Sequence, residues 1–245
     1  MPEVYGRDGY IEGYPEGIER HFWHISRNDI VYRWLVRRLK PQELVMDVGC
    51  GTGHVVREFR SRGMNIQGVE MGSPPISPGM EAVIHTKRDL FDLDASLKAR
   101  INTVLLLDVI EHMAERREFL RRLFEELPNC RQLLITVPAR KELWSEYDEY
   151  WGHHLRYDRH GLEADLAGSG FAPRKTSYFF HWLYLASRVL GWLRIPKRTD
   201  FQPVKPGTPK AFFHRTLGLF TRLESRLVPG SLAGSSLICI ADRTD

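Results

Sequence analysis

A chain of 245 residues with 42% hydrophobic and 27% charged residues has ordinary globular composition and the length for one domain with an elaboration. Its three cysteines, Cys50, Cys130 and Cys239, have neither the paired spacing of a zinc site nor an even disulfide framework, which excludes a disulfide scaffold and points to a reducing compartment. The net charge of +4 is small but uneven, because cations from Arg174 to Arg226 face only Asp200 and Glu224 while the rest is mildly acidic.

The first twenty residues carry Glu3, Asp8, Glu12, Glu16 and Glu19 and no apolar h-region, unlike a secretory leader, so a cytoplasmic protein is expected. Ile30, Val31, Trp34, Leu35 and Leu39 then form one apolar helical face, with Ser26 and Asp29 as a capping pair and Pro41 as a stop. Arg27, Trp23 and His21, at the front of this helix, are placed to reach a ligand or to staple the helix to the core. The run Val45-Met46-Asp47-Val48-Gly49-Cys50-Gly51-Thr52-Gly53 follows: a strand ending beyond an acid in three glycines at alternate positions. Val55, Val56 and Phe59 recur behind it at helical spacing, so strand, tight loop and helix are predicted.

Residues 65–70 form a short second strand ending in Glu70, nineteen residues past Gly51, where glycine-loop folds hold a ribose-binding carboxylate. Residues 72–79 hold three prolines and two glycines, so the usual crossover helix is cut short there. A third strand spans 81–86, Arg88-Asp89-Leu90 follows, and 101–108 is a fourth, apolar on both faces and therefore central. Phe119, Leu120, Leu123, Phe124 and Leu127 mark an amphipathic helix, and 132–138 is a fifth strand. Strands alternating with helices predict an α/β fold, a mostly parallel sheet covered on both faces. Beyond it come a polar and aromatic stretch at 141–157, a helix at 160–169, a strand at 174–180, an apolar aromatic run at 178–193, a basic linker, a helix at 212–227 and a last strand at 236–241. That last strand is expected to be antiparallel.

The glycine loop is not a dinucleotide fingerprint, because His54 stands where the third glycine of G-x-G-x-x-G belongs. Its D-x-G-x-G-x-G form instead resembles motif I of the class I S-adenosylmethionine (SAM) dependent methyltransferases. From Val45 to about Phe171 the chain is similar to the group containing the ubiquinone-biosynthesis and type 11, 12 and 23 families. The resemblance implies a Rossmann-like domain over 1–245, with an N-terminal helical segment at 1–41, a SAM-binding core at 42–171 and an aromatic, basic insertion at 172–235 before the last strand. It implies SAM as cofactor: Asp47, Gly49, Cys50, Gly51 and Gly53 around the methionine part, Glu70 on the ribose, and Asp89 with Leu90 at the adenine. Asp108 and Val109, in the segment after the fourth strand, are expected against the methyl donor.

Residues 145–157 resemble the serine, aspartate, glycine-histidine and arginine-tyrosine pattern after strand five in the type 12 and 23 families, and are expected to roof the reacting methyl. A hydroxyl nucleophile must lose its proton, and histidine suits that task near neutral pH. His153 and His154 are the candidate bases, His153 first, with Asp148 as orienting partner. Asp108, Glu111 and His112 at i, i+3 and i+4 would share a helical face and resemble a cation cluster of ubiquinone-type enzymes. Hard cations recruit more oxygens than this trio offers, so no metal is assigned.

The acceptor is expected to be a small molecule or a lipid-linked one, methylated at oxygen. The run at 178–193 is too short to span a bilayer, and reads either as a buried core helix or, with the cations out to 215, as an interfacial anchor for peripheral membrane contact. The segment after strand four lacks the form that goes with base-amine methylation, which argues against a nucleic-acid partner. An RNA-modifying enzyme using the basic segment and a non-catalytic SAM-binding module are the alternatives.

Overall fold

The computed structural model describes residues 13–195 and 202–244. Glu3, Asp8 and Glu12 of the leading segment and Lys197, Arg198 and Asp200 of the basic linker lie outside the described residues.

Seven strands form one sheet in the order β3-β2-β1-β4-β5-β7-β6. They are β1 (Leu44–Val48), β2 (Ile66–Glu70), β3 (Ile84–Thr86), β4 (Ile101–Leu107), β5 (Gln132–Pro138), β6 (Phe171–Phe179) and β7 (Ser236–Arg243). β1 to β5 pair in parallel, whereas β7 runs antiparallel between β5 and β6. The fourth strand is central and buried almost throughout, as its unbroken apolar run requires. Alternation along β1 divides the core: Met46 and Val48 pack with Leu120, Leu123 and Leu162 on one face, and Val45 with Ile30, Val56 and Phe59 on the other.

Eight helices cover the sheet among the described residues: α1 (Phe22–Leu35), α2 (His54–Ser61), α3 (Ala95–Lys98), α4 (Arg116–Glu126), α5 (Glu146–Tyr150), α6 (Arg159–Ala167), α7 (His181–Trp192) and α8 (Pro209–Leu227). The switch from β1 to β4 at the sheet centre leaves a crevice beyond the carboxyl ends of the parallel strands, where ligands bind in such sheets.

Several expectations need correction. Ser26 and Asp29 lie inside α1 and do not cap it; His21 does, its Nδ1 accepting from the Trp23 amide at 3.4 Å. Ser26 instead donates to the Gly218 carbonyl at 3.3 Å, and Asp29 pairs with Arg33 at 3.0 Å. The helix also ends at Leu35, before Pro41. The third strand has only three residues, because the proline-rich loop occupies most of the approach from β2. A boundary at 172 falls inside β6, and among the described residues the inserted helices between β6 and β7 are α7 and α8. A buried core helix at 178–193 is overturned: α7 buries only His181 and leaves Leu185, Val189 and Trp192 exposed.

Candidate functional site

Beyond β1 the chain turns through Gly49, Gly51 and Gly53, whose φ values are 70°, 52° and 76°. At Gly51 the left-handed backbone already disfavours a side chain, and a Cβ there would stand 2.9 Å from the Tyr14 ring. A Cβ on Gly49 would stand 3.0 Å from Val109, so the loop presents bare main chain to the crevice. Glu70, at the end of β2, fastens this loop. Its carboxylate accepts from the Gly51 amide at 2.9 Å and from the Gly72 amide at 3.0 Å.

The crevice is a cavity of about 620 Å³, within the range of small-molecule and cofactor sites, roughly 300–1,000 Å³. Its wall includes Gly49, Gly51, Glu70, Asp89, Leu90, Asp108, Val109, His153 and His154, so nine of the thirteen expected site residues meet there. Four stand behind the wall. Cys50 is buried towards β2, where a Cβ on Gly68 would come within 2.6 Å of its sulfur. Gly53 lets the loop pass Ile84, which a Cβ there would overlap. Asp47 is buried in β1, and burial, opposed by Arg27 and assisted by Glu70, pushes its carboxyl up to about 7. These three shape the cradle from within and do not face its contents. Asp148, the fourth, is buried behind His153, whose Nδ1 lies 2.9 Å from its carboxylate.

Asp89 caps a short helical turn, accepting from the Phe91 amide at 3.0 Å, and thereby sets Leu90 into the buried wall. Asp108 closes β4 with φ at 59°, a strained conformation outside glycine. Its carboxylate receives Arg27 Nη1 at 2.8 Å; Arg27 is itself buried and lies 4.7 Å from the Trp23 ring centre. That pair explains why Asp108, Glu111 and His112 do not form the predicted trio. The left-handed backbone at Asp108 and a 3-10 turn over Ile110–His112 remove the common helical face. Glu111, His112 and His153 are instead the side chains whose ligand atoms all lie within 4.8 Å of one another.

The roof comes from residues 141–157. Its end is tied to the sheet by Tyr157, whose amide donates to the Pro138 carbonyl at 2.9 Å, and to the turn after β4 by the His154 amide, which donates to the Glu111 carbonyl at 2.8 Å. Ser145 and Asp148 form a capping box at the start of α5, which fixes the Asp148 carboxylate in place. His153 Nδ1 lies 2.9 Å from Asp148 Oδ1, and Arg156 Nε donates to the same oxygen at 2.7 Å. Burial pushes the Asp148 carboxyl up, but hydrogen bonding from His153 and the Arg156 charge outweigh it and hold the group below its ordinary value. The cluster's contribution to folding is therefore complete above the unfolded carboxyl's 3.8 and declines as pH falls towards the depressed folded value.

A carboxylate on Nδ1 favours, for the neutral ring of His153, the tautomer whose proton faces Asp148 and whose lone pair is on Nε2. Next to it His112, its ring centre 4.8 Å away, is pressed down to about 4 by burial and by His153. Glu111 beneath is fully buried, and burial with the Asp108 charge raises its carboxyl well above the ordinary range. A histidine held by a carboxylate thus lines the same cavity as the glycine cradle, an arrangement able to take a proton from a hydroxyl.

Sequence reasoning missed other wall residues. Tyr14 belongs to a polar leading stretch with no periodicity, yet it lies over Gly51, and burial raises its hydroxyl pKa. Met113, Phe119 and Arg122 line the far side; the apolar face of α4 signals core, and nothing local separates Phe119 on its rim from Leu120 inside.

The methyltransferase type 23 family, described as a methyltransferase domain, matches residues 22–176, well over half of the chain. No curated protein matches. Solved structures share the fold. A magnesium protoporphyrin IX methyltransferase (ChlM) from Synechocystis PCC 6803 with bound SAM is 17% identical, with 97% of this chain and 95% of that one covered and a TM-score of 0.51. A putative sarcosine dimethylglycine methyltransferase from Galdieria sulphuraria is 13% identical over 91% of this chain and 87% of that one, with a TM-score of 0.55. The complex between the Haloferax volcanii Trm112 methyltransferase activator and a putative methyltransferase provides a match that is 14% identical over 94% and 92% of the two chains, with a TM-score of 0.55. The residues present fit the cofactor, since the glycine main chain forms a cradle that side chains would fill and an acid closes it at the end of β2. The family match over the cradle and roof, on this seven-stranded sheet, makes the chain a member of the class I SAM-dependent methyltransferases.

Proposed function

We propose that this enzyme methylates a hydroxyl oxygen of a small-molecule or lipid-linked acceptor, with His153 as the base. The observation that supports the reading is the Asp148–His153 pair at 2.9 Å, set in the roof of the same cavity whose floor is the Gly49–Gly51 main chain. SAM, when bound, supplies an electrophilic methyl on a sulfonium centre. The remaining work falls to the protein.

Gly49 and Gly51 leave room for a close approach of the cofactor's amino-acid portion. Glu70, aimed by the Gly51 and Gly72 amides that donate to its two oxygens, presents a carboxylate at the end of β2 where the ribose hydroxyls would lie. Leu90 offers an apolar surface to the adenine, with Asp89 at its edge and Val109 next to the cradle. At the other end His153 Nε2 accepts the acceptor hydroxyl's proton, and Asp148 stabilises the imidazolium that results. Arg156 keeps Asp148 ionised throughout. His154, exposed at the cavity mouth, is placed to contact the acceptor and not to serve as base. Positioning supplies much of the rate, because methyl transfer needs the attacking oxygen, the carbon and the sulfur in line.

Among the described residues, no cation between Arg174 and Arg226 lines the cavity, which favours a small acceptor over RNA. Incubation with methyl-labelled SAM and fractionated cell extract tests the proposal. Label is expected in the small-molecule or lipid fraction, in a product that resists mild base as an ether does. Label confined to RNA or protein, or bound SAM with no transfer to any fraction, would refute it.

A further inference from the structure

α8 is built inside out for a surface helix. The face it turns to α1 is small and polar: a Cβ on Gly218 would stand 3.0 Å from Ile25, the Phe22 amide donates to His214 Nδ1 at 3.4 Å, and Arg33 donates to Ser225 at 2.9 Å. The opposite face carries Phe212, Leu219 and Leu223 in one row and Phe213, Phe220 and Leu227 in the next, each more than half exposed. Helical geometry puts these six on one stripe, since they recur at spacings of four and seven. A stripe of this kind on a soluble protein marks a surface that something covers.

Charge tells which partner. Arg215 and Arg226 are exposed on the row beside Leu219, and α7, which adjoins α8 where Trp182 donates to Thr221 at 3.0 Å, adds Arg188 near its exposed Trp192. Among the described residues from 181 to 232 the sole acid is Glu224, and it is buried. A second copy of the chain laid on this face would set Arg215 and Arg226 against like charges, with no exposed acid among the described residues of α7 and α8 to meet them. An anionic lipid surface meets both features, accepting the aromatic and leucine stripe at its acyl boundary and the guanidinium groups at its headgroups. No described helix is long and apolar enough to cross a membrane, so the contact is peripheral.

We infer that α8, assisted by α7, docks the enzyme on anionic bilayers. The inference stands apart from the choice of acceptor. Co-sedimentation of the full chain with vesicles of dioleoyl phosphatidylcholine alone, and of that lipid mixed equally with dioleoyl phosphatidylglycerol, tests it. The protein is expected in the pellet with the anionic vesicles, at least about tenfold more than with the neutral ones, and released by added salt. Phe213→Glu with Leu227→Glu should abolish pelleting, and Arg215→Glu with Arg226→Glu should remove the preference for anionic lipid. Calorimetric SAM binding should be the same in all three proteins, showing that the variants fold. Protein left in the supernatant with both vesicle types, pelleting indifferent to the variants, or a dimer at sedimentation equilibrium that Phe213→Glu with Leu227→Glu dissociates would each overturn it.

Discussion

Gly51→Val is expected to weaken SAM binding by about 100-fold or more, equivalent to about 2.7 kcal/mol. Two separate penalties meet at this residue. Its φ of 52° is a conformation that β-branched side chains strongly disfavour, and the first added carbon would stand 2.9 Å from the Tyr14 ring. The Tyr14 ring lines the cavity and can give way in part, so the backbone strain at Gly51 falls chiefly on the loop itself. When it moves, the Gly51 amide leaves Glu70, and the acid assigned to the ribose loses the contact that aims it. Gly63→Val provides the control. Gly63 has the same kind of backbone, with φ at 84°, but is exposed and has nothing within 4 Å of its added carbon. Titration calorimetry should find SAM affinity unchanged in that variant. Equal losses in both variants would show that backbone strain alone, and not the cradle, is responsible.

His153→Ala should lower kcat by about 10²–10⁴-fold while SAM affinity stays within a few-fold, because a positioned base acts on the acceptor's proton and not on the cofactor. The limb of the pH–rate profile on which rate rises as a base loses its proton should vanish with it. Asp148→Asn should fall between the variant and the parent in rate, since the amide still holds the ring but no longer stabilises its positive charge. That substitution also leaves Arg156, only 8% exposed in its side chain, without its counter-charge. A stability loss of about 3 kcal/mol is expected from such a broken buried pair. Measuring rates well below the melting temperature separates the two effects. If His153→Ala keeps full kcat on the identified acceptor, deprotonation is performed elsewhere or is not required.

What could be read from the sequence was local. β1, the glycine loop and α2 follow one another within residues 44–61, and both the period change and the turn chemistry are visible there. β5 and the central β4 needed only an apolar run of the right length. Asp148 and His153 are five residues apart, so their pairing was within reach of spacing and family pattern together. The Arg27–Asp108 pair is not of this kind. It joins residues eighty-one positions apart, and nothing near Asp108 announces that its backbone leaves the helical region and takes the carboxylate away from Glu111.

The burial of the C-terminal helices was harder to read for a related reason. An apolar, aromatic run ordinarily signals burial, and sequence alone does not say which side of a helix the fold covers. In α8 the covered side is the one with Gly218, Thr221 and His214, selected by close approach to α1. The apolar side was left outside. Ser26 likewise looked like a cap until Gly218 came near enough to accept its hydroxyl.

The structure of the enzyme with S-adenosylhomocysteine, the product SAM leaves after transfer, bears on the main claim most directly. The amino-acid portion should lie along Gly49 and Gly51, the ribose on Glu70, and the sulfur should point to a space bounded by His153. Ribose bound away from Glu70, or a sulfur that the roof residues separate from His153, would contradict the account.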